Sequence, residues 1–335
     1  MKMQSEQQWR PIPAGWSSMT LRERWNRTMH FRKPDRLPLM EFKYWDTTLP
    51  VWRRQGLPES VRTTEQAYAY FGIESWASAP VDVYLRPAIQ PEVIEEGEDY
   101  LIWRDGDGAL RKEIRDGARS IPKYLRFAIR NRADWEEFRK RLDPETPGRY
   151  PNNWDEWVGA CADRDFPLSI KFGSMLGWPR NWIGFENIGV MFYDDPDLID
   201  DIIETVCRLV CATIERALED VRFDFASGWE DICFKNGPII SPKMFAEYVV
   251  PRYKRITDLL GAHGIDVIWT DCDGDIRPLV DLFLEGGINC MFPLEVAAGS
   301  DPVALREKYG RRLLLHGGVD KMALREGGKA IEREL

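Results

Sequence analysis

Residues 264–275 read GIDVIWTDCDGD: an apolar run that closes on Asp271, Cys272, Asp273 and Asp275. A short apolar run of this kind reads as a buried strand. Side chains alternate along a strand, so Asp271 and Asp273 share one side while Cys272 points to the other. Two neighbouring carboxylates either hold a cation or share a proton, one of them with a raised pKa. The bland alternative is a solvated turn whose aspartates cap a helix starting near Arg277.

Outward from this stretch the text alternates. FPLSIKFGSM (166–175) reads as a strand and DPDLIDDIIETVCRLVCATIERALEDV (195–221) as an amphipathic helix, with Asp195 as N-cap and Pro196 at its first position. FDFASGWED (223–231) is the next strand. SPKMFAEYVVPRYKRITDLLGAHG (241–264) is a helix capped by Ser241, interrupted before Pro251 and stopped at Gly264. INCMFPLE and RLLLHGGVD follow as strands, with helices before and between them. Strands separated by helices imply parallel βα units. With LPLMEF (37–42) and VDVYLRP (81–87) the chain offers seven strands, which predicts an α/β TIM (β/α)8-type barrel lacking its last β/α unit. No GxGxxG follows any strand, so a dinucleotide site is not supported. Asp105-Gly106 and Asp107-Gly108 are hairpin signals and mark residues 81–123 as an antiparallel insertion. The domain reading is one barrel over 1–335, with a polar tail over 1–21.

The 335 residues carry 46 Lys and Arg against 55 Asp and Glu, a net charge of −9 without long single-sign blocks. That balance argues against a nucleic-acid surface and a membrane anchor. The start MKMQSEQQWRP lacks the apolar core of a signal peptide, so the expected location is the cytoplasm. Six scattered cysteines without a CxxC pair read as reduced thiols, and Cys207 and Cys211 as helix core. Most of the fourteen tryptophans read as packing residues.

In a barrel the C-terminal strand ends and following loops form the active site. Those ends carry Trp229, Glu230 and Asp231; Asp271 and Asp273; Glu295; and His316 with Asp320. Such an acidic ring is costly unless a metal, a cationic substrate or basic partners neutralise it. Candidate catalytic residues are Asp271, Asp273, Glu230 and His316. A divalent metal, zinc or another, would take Asp271, Asp273, Glu295 and His316 as ligands, although His316 also suits a buried histidine bonded to backbone. His263 reads as a helix cap and His30 as packing or surface. In GSMLGWPRNWIGFENIG (173–189), Arg180 between Trp178 and Trp182 suits a carboxylate or flat anionic ligand, or a loop packed by its own aromatics. Arg180, Trp178, Trp182, Trp229, Asn236 and Glu295 are the candidate substrate-binding residues.

With these residues in view, the chain resembles the uroporphyrinogen decarboxylase superfamily, which also contains corrinoid-linked methyltransferases. The resemblance runs from about Arg22 onward and rests on PDRLPLMEF, DDPDLIDDI, ISPKMFAEYVVPRYKRI, GGINCMFPLEVAAGSDPVALREKYG and LLLHGGVDK. It implies a single TIM-type barrel with a deep cleft at its mouth. Decarboxylases of the superfamily carry an Arg-rich segment after the first strand. Here FKYWDTTLPVWRRQGLP keeps only Arg53 and Arg54 of that character. Zinc-dependent methyltransferases carry His-x-Cys-Gly where this chain has Asp271-Cys272-Asp273-Gly274. The resemblance therefore implies a methyltransferase that moves a methyl group between a small methylated substrate and a corrinoid carried by a partner protein. The alternatives are decarboxylation of a carboxylated tetrapyrrole or other ring, and a non-catalytic binding barrel. A homodimer is a further way to complete the barrel.

Overall fold

The computed structural model describes residues 18–115 and 122–335; residues 1–17 of the expected tail and 116–121 of the expected insertion lie outside them. The chain divides into two compact units, one of residues 1–77 and 160–168, the other of 78–159 and 169–335.

The first unit has helices Leu21–Met29, Thr48–Arg54 and Thr64–Phe71. Arg24, 1% exposed, joins its segments. Its guanidinium grips Asp35 at 2.7 and 3.0 Å and reaches Glu74 at 2.7 Å, while Arg36 takes the same Glu74 at 2.7 and 2.8 Å. The Arg24 guanidinium holds the Asp35 carboxyl well below the usual carboxylate range. A small core of Leu49, Leu57, Val61 and Ala67 packs beside Tyr44, Trp52 and Phe71. The expected strand 37–42 is reduced to a single parallel bridge from Met40 to Glu74. Leu37, Leu39 and Phe42 stay exposed, so no buried face holds that run in a ladder.

The strands, in chain order, are β1 (Ala77–Ser78), β2 (Glu92–Glu96), β3 (Tyr100–Arg104), β4 (Leu110–Ile114), β5 (Lys123–Arg126), β6 (Leu168–Gly173), β7 (Phe225–Trp229), β8 (Cys233–Phe234), β9 (Gly237–Pro238), β10 (Ile268–Asp271), β11 (Cys290–Phe292) and β12 (Leu314–Leu315). A six-stranded sheet runs β1-β6-β7-β10-β11-β12, and each registered pair from β6 to β12 is parallel. Helices join these strands, the longest being Pro196–Asp220, where Asp195 accepts the Leu198 N–H at 3.1 Å. Leu198, Ile202, Val206, Leu209, Val210 and Ile214 form its buried stripe. The result is a mixed α/β fold with a central parallel sheet, consistent with a TIM-like arrangement.

The segment 81–87, expected as a strand, is extended but outside the sheet. Val81, Val83 and Leu85 are buried at every second position, as a strand would bury them. Arg149 takes the place of a neighbouring strand: its guanidinium donates to the carbonyls of Asp82 and Tyr84 (both 2.9 Å), Arg141 (3.3 Å) and Asp143 (3.0 and 2.8 Å). The expected insertion is a four-stranded antiparallel sheet, β2-β3-β4-β5, with its turn at the Asp-Gly pairs. That turn is pinned from within, since Asp105 accepts the N–H groups of Asp107 (2.9 Å) and Ala109 (2.8 Å) and is paired with Arg111. Asp107 in turn accepts the Tyr84 hydroxyl and the Asn181 amide, so the insertion is tied to the helix Gly177–Ile183.

The helix after Ser241 does not break before Pro251. A π turn over Phe245–Val249 carries it through, with the Val250 N–H bonded to Phe245 O, five residues back. The helix then continues over Val250–Ala262.

Arg149→Leu should remove the substitute for a strand partner and take from the carbonyls of Asp82 and Tyr84 the guanidinium donor that they accept from. Urea unfolding should show a loss of ~3 kcal/mol, against under ~1 kcal/mol for the exposed Arg312→Leu.

Candidate functional site

The C-terminal ends of β6, β7, β10 and β11 and the loops after them carry the polar residues. β10 is buried from Ile268 through Thr270 and opens to solvent only at its end. Thr270 and Cys272 are buried (0% and 1% exposed), whereas Asp271 keeps solvent access and Asp273, just past the strand, is exposed. Gly274 then turns at φ +86°; a Cβ there would lie 2.5 Å from the Cys233 carbonyl oxygen, so only glycine lets this loop lie against β8.

Three carboxylates gather at this end: Asp231, Asp271 and Asp273. The Asp273 N–H donates to Asp231 Oδ1 at 3.4 Å, and the Glu230 N–H donates to the Asp271 carbonyl at 2.8 Å, which sets β7 and β10 side by side. Asp231 has a left-handed backbone (φ +49°), a conformation aspartate tolerates better than most residues. Burial pushes the Asp271 carboxyl up to about 7, with the charges of Asp231 and Asp273 adding to the shift. Asp273 is raised by burial and by Asp231 and Glu295. Arg180 donates to the Asp231 carbonyl and to Asn181 Oδ1 (3.2 Å), with its guanidinium 5.7 Å from the centre of the Trp229 ring. In the sequence Asp231 is one strand-end acid among several, and adjacency to Glu230 does not single it out.

Glu230 itself lies fully buried, behind the strand ends. Its carboxylate accepts the N–H groups of Met175 (2.8 Å), Leu176 (2.9 Å) and Gly177 (2.8 Å), the Ser174 hydroxyl (2.9 Å) and the Tyr253 hydroxyl. Burial pushes Glu230 up to about 7 while those donors pull it down. Three of the partners are backbone N–H groups, which can only donate, so the cage favours a carboxylate that accepts. This is a fastening of β7 to the loop after β6 and to the helix Val250–Ala262. Ser174 and Tyr253 carry no sequence signal for the role, because their partner lies 56 and 23 residues away.

The remaining candidates divide. Trp178 and Trp182 are packing residues, 7% and 0% exposed. They stack on each other and against Tyr84, and the Trp182 ring N–H donates to the Tyr84 hydroxyl at 2.8 Å. Asn236 sits exposed in the turn between β8 and β9. Glu295 accepts the Gly274 N–H at 3.0 Å and pairs with Lys321, which holds its carboxyl below the ordinary range. The His316 ring packs on Trp269 (5.0 Å) and Phe292 (4.9 Å), and these surroundings press its pKa down to about 4, so the neutral ring prevails. Among the described residues no three His, Cys, Asp or Glu side chains gather into a group that could hold a metal. Asp271, Asp273, Glu295 and His316 therefore do not form the ligand set expected of them: Glu295 is held by Lys321 and Gly274, and His316 lies among aromatic rings. Arg53, in the other unit, donates to the Val61 carbonyl at 3.1 Å and lies 3.6 Å from Glu59.

Fold and site together define an α/β protein with an acidic centre at the C-terminal ends of a parallel sheet. Among solved structures the chain is similar to a methyltransferase from Methanosarcina mazei, with a TM-score of 0.56 and 12% identity, over 89% of this chain and 82% of that one. At that identity the likeness is one of fold. No protein-family model matches the chain, and no curated protein does. Among the described residues no helix is long and apolar enough to cross a membrane.

The two carboxyls give two outcomes. In Glu230→Gln, an amide N–H2 would face groups that also donate, so the variant should lose ~2–5 kcal/mol in urea unfolding. Asp271 ionises near 7 in the folded chain against an ordinary value of 3.8. The unfolded chain therefore releases this proton first, and the residue costs stability progressively as pH rises from about 4 to about 7. Asp271→Asn should be more stable than the parent by ~1–3 kcal/mol at pH 8, with the difference closing toward pH 4, as read by thermal melts across that range.

Proposed function

We propose that this protein is a methyltransferase of the uroporphyrinogen decarboxylase-like kind, whose parallel sheet belongs to a TIM-type barrel, and that it acts in the cytoplasm. It would move a methyl group from a small methylated substrate to a corrinoid carried by a partner protein. The observation that carries the reading is Asp271: a carboxyl at a strand end, solvent-accessible, with its pKa pushed up to about 7 by burial and by two neighbouring acids. The fold likeness to a methyltransferase supports the reaction class.

Taking a methyl group off an oxygen or nitrogen breaks the carbon–heteroatom bond and leaves the electron pair on the heteroatom. That atom needs a proton as the bond breaks, and a carboxyl that is still partly protonated at neutral pH can give one. Asp271 would be that donor. Asp231 and Asp273 would keep its proton in place by repelling the charged form, and the Trp229 face with Arg180 would border the substrate. The partner's corrinoid, when bound, supplies the nucleophile that accepts the methyl group. No step is assigned to a metal, because the expected ligands do not come together.

The test is methyl transfer from a panel of O- and N-methylated small molecules to free reduced cobalamin, followed by absorbance. A substrate should be found whose kcat/KM falls above pH ~7, where Asp271 loses its proton, and Asp271→Asn should lower kcat by ~100-fold or more. Absence of transfer from every member of the panel, or an unchanged rate in Asp271→Asn, would overturn the reading.

A further inference from the structure

Packing accounts for every residue of β6 but one. Five of the residues Leu168–Gly173 are buried, and Lys171, in the middle of the strand, is exposed. The register shows which way its side chain projects. Lys171 stands opposite Ser227 on β7, and Ser227 opposite Trp269 on β10; two residues further along, Trp229 stands opposite Asp271. Registered residues of parallel strands project from the same face of a sheet, and so do residues two apart on one strand. Lys171, Ser227, Trp229, Trp269 and Asp271 therefore share a face, while Ile170 and Phe172, both 0% exposed, project from the other. Two groups on the shared face are unused. Among the described residues the Lys171 ammonium group makes no ion pair or hydrogen bond, and the Ser227 hydroxyl, on a residue 8% exposed, has no hydrogen-bond partner.

We infer that Lys171 and Ser227 receive a carboxylate, so that the substrate is a small methoxylated carboxylic acid whose ether oxygen lies at Asp271; the ether end of this inference rests on the methyltransferase reading. Two strand spacings of ~4.8 Å and a step of two residues of ~3.3 Å separate the Lys171 and Asp271 backbones by ~12 Å, a gap that the lysine stem shortens to the length of a small molecule. β7 is the strand between them. Its Ser227 hydroxyl, level with Lys171, adds a charge-assisted hydrogen bond to a carboxylate, and its Trp229 ring, level with Asp271, offers an apolar surface to the body of the ligand. A single ammonium group matches a single negative charge, and a site that leaves both a buried hydroxyl and an ammonium group unpaired without ligand rewards the molecule that pairs them. At the far end the methyl carbon–oxygen bond breaks, the oxygen keeps the electron pair and takes the Asp271 proton, and the corrinoid accepts the methyl group; the product is the hydroxy acid. An ether oxygen, which would otherwise leave as an alkoxide, gains more from that proton than an amine nitrogen does.

The full chain is titrated by calorimetry at low salt with methoxyacetate, 3-methoxypropanoate and 4-methoxybenzoate, and with the uncharged amide of each, up to ~10 mM, where a site of ~1 mM affinity is almost filled. At least one acid should bind saturably and ~10-fold or more tighter than its amide. Lys171→Gln should reduce that preference to within ~2-fold, Lys171→Arg should keep it, and the exposed control Lys243→Gln should leave it unchanged. Lys171 is exposed, so melts of Lys171→Gln without ligand should match the parent, which separates lost binding from lost folding. No saturable binding of any acid, equal affinity for acid and amide, or an undiminished preference in Lys171→Gln would overturn the inference. Binding that depends on Lys171 in a protein that transfers no methyl group to cobalamin upholds the carboxylate site and overturns only the reaction assigned to it.

Discussion

The end of the parallel sheet is built around one buried carboxylate. Glu230 receives three backbone N–H groups and a hydroxyl from the four residues Ser174–Gly177, and a second hydroxyl from Tyr253. An ionised carboxylate without partners would be intolerable at 0% exposure, and loop N–H groups without acceptors nearly so. Each needs the other, and their meeting determines where the loop after β6 turns into the helix Gly177–Ile183. Three groups at this end hang from that junction: Arg180 on the helix, Asp231 on the residue after Glu230, and Asp271 through the Glu230 N–H.

The acids beside it behave differently. Burial first, then the charges of Asp231 and Asp273, raises Asp271, and burial with Asp231 and Glu295 raises Asp273, while Asp271 is left without an ion pair among the described residues. Glu295, by contrast, has Lys321. The same functional group at neighbouring strand ends thus ends in opposite states, one carboxyl driven toward its protonated form and one held ionised, because one faces burial and acids and the other faces an ammonium group. Such divergence of like groups within one site is a hallmark of proton chemistry.

Much of the sheet was legible in the sequence. The apolar run into IWTDC reads as a buried strand, and the structure buries residues 268–270 and Cys272 while leaving Asp271 partly accessible, without a regular alternation along the strand. The cap at Asp195 and the turn at Asp105–Gly108 were legible because each rests on contacts within four residues. What lay beyond reading was set by partners far along the chain. The segment 81–87 has a strand's pattern of burial, yet its partner is the side chain of Arg149, which no periodicity announces. Glu230 has the sequence position of an active-site acid and the surroundings of a structural one, since the loop residues that claim it are more than fifty positions away. Trp178 and Trp182 flank Arg180 in sequence, but a helix turn sends them into the core while the arginine faces the polar end.

The π turn at Phe245–Val249 gives the number of residues in a helix a meaning of its own. A π turn holds one residue more than α geometry needs, and each residue rotates the remainder of the helix by about 100°. Tyr253 lies just beyond it and reaches Glu230 from the orientation that the extra residue creates. Removing any one residue from this turn would restore a regular helix and swing the tyrosine hydroxyl away from the carboxylate. A deletion in this turn, away from the acids themselves, would then be felt at the strand ends, so length, as much as side-chain identity, is a physical requirement of this helix.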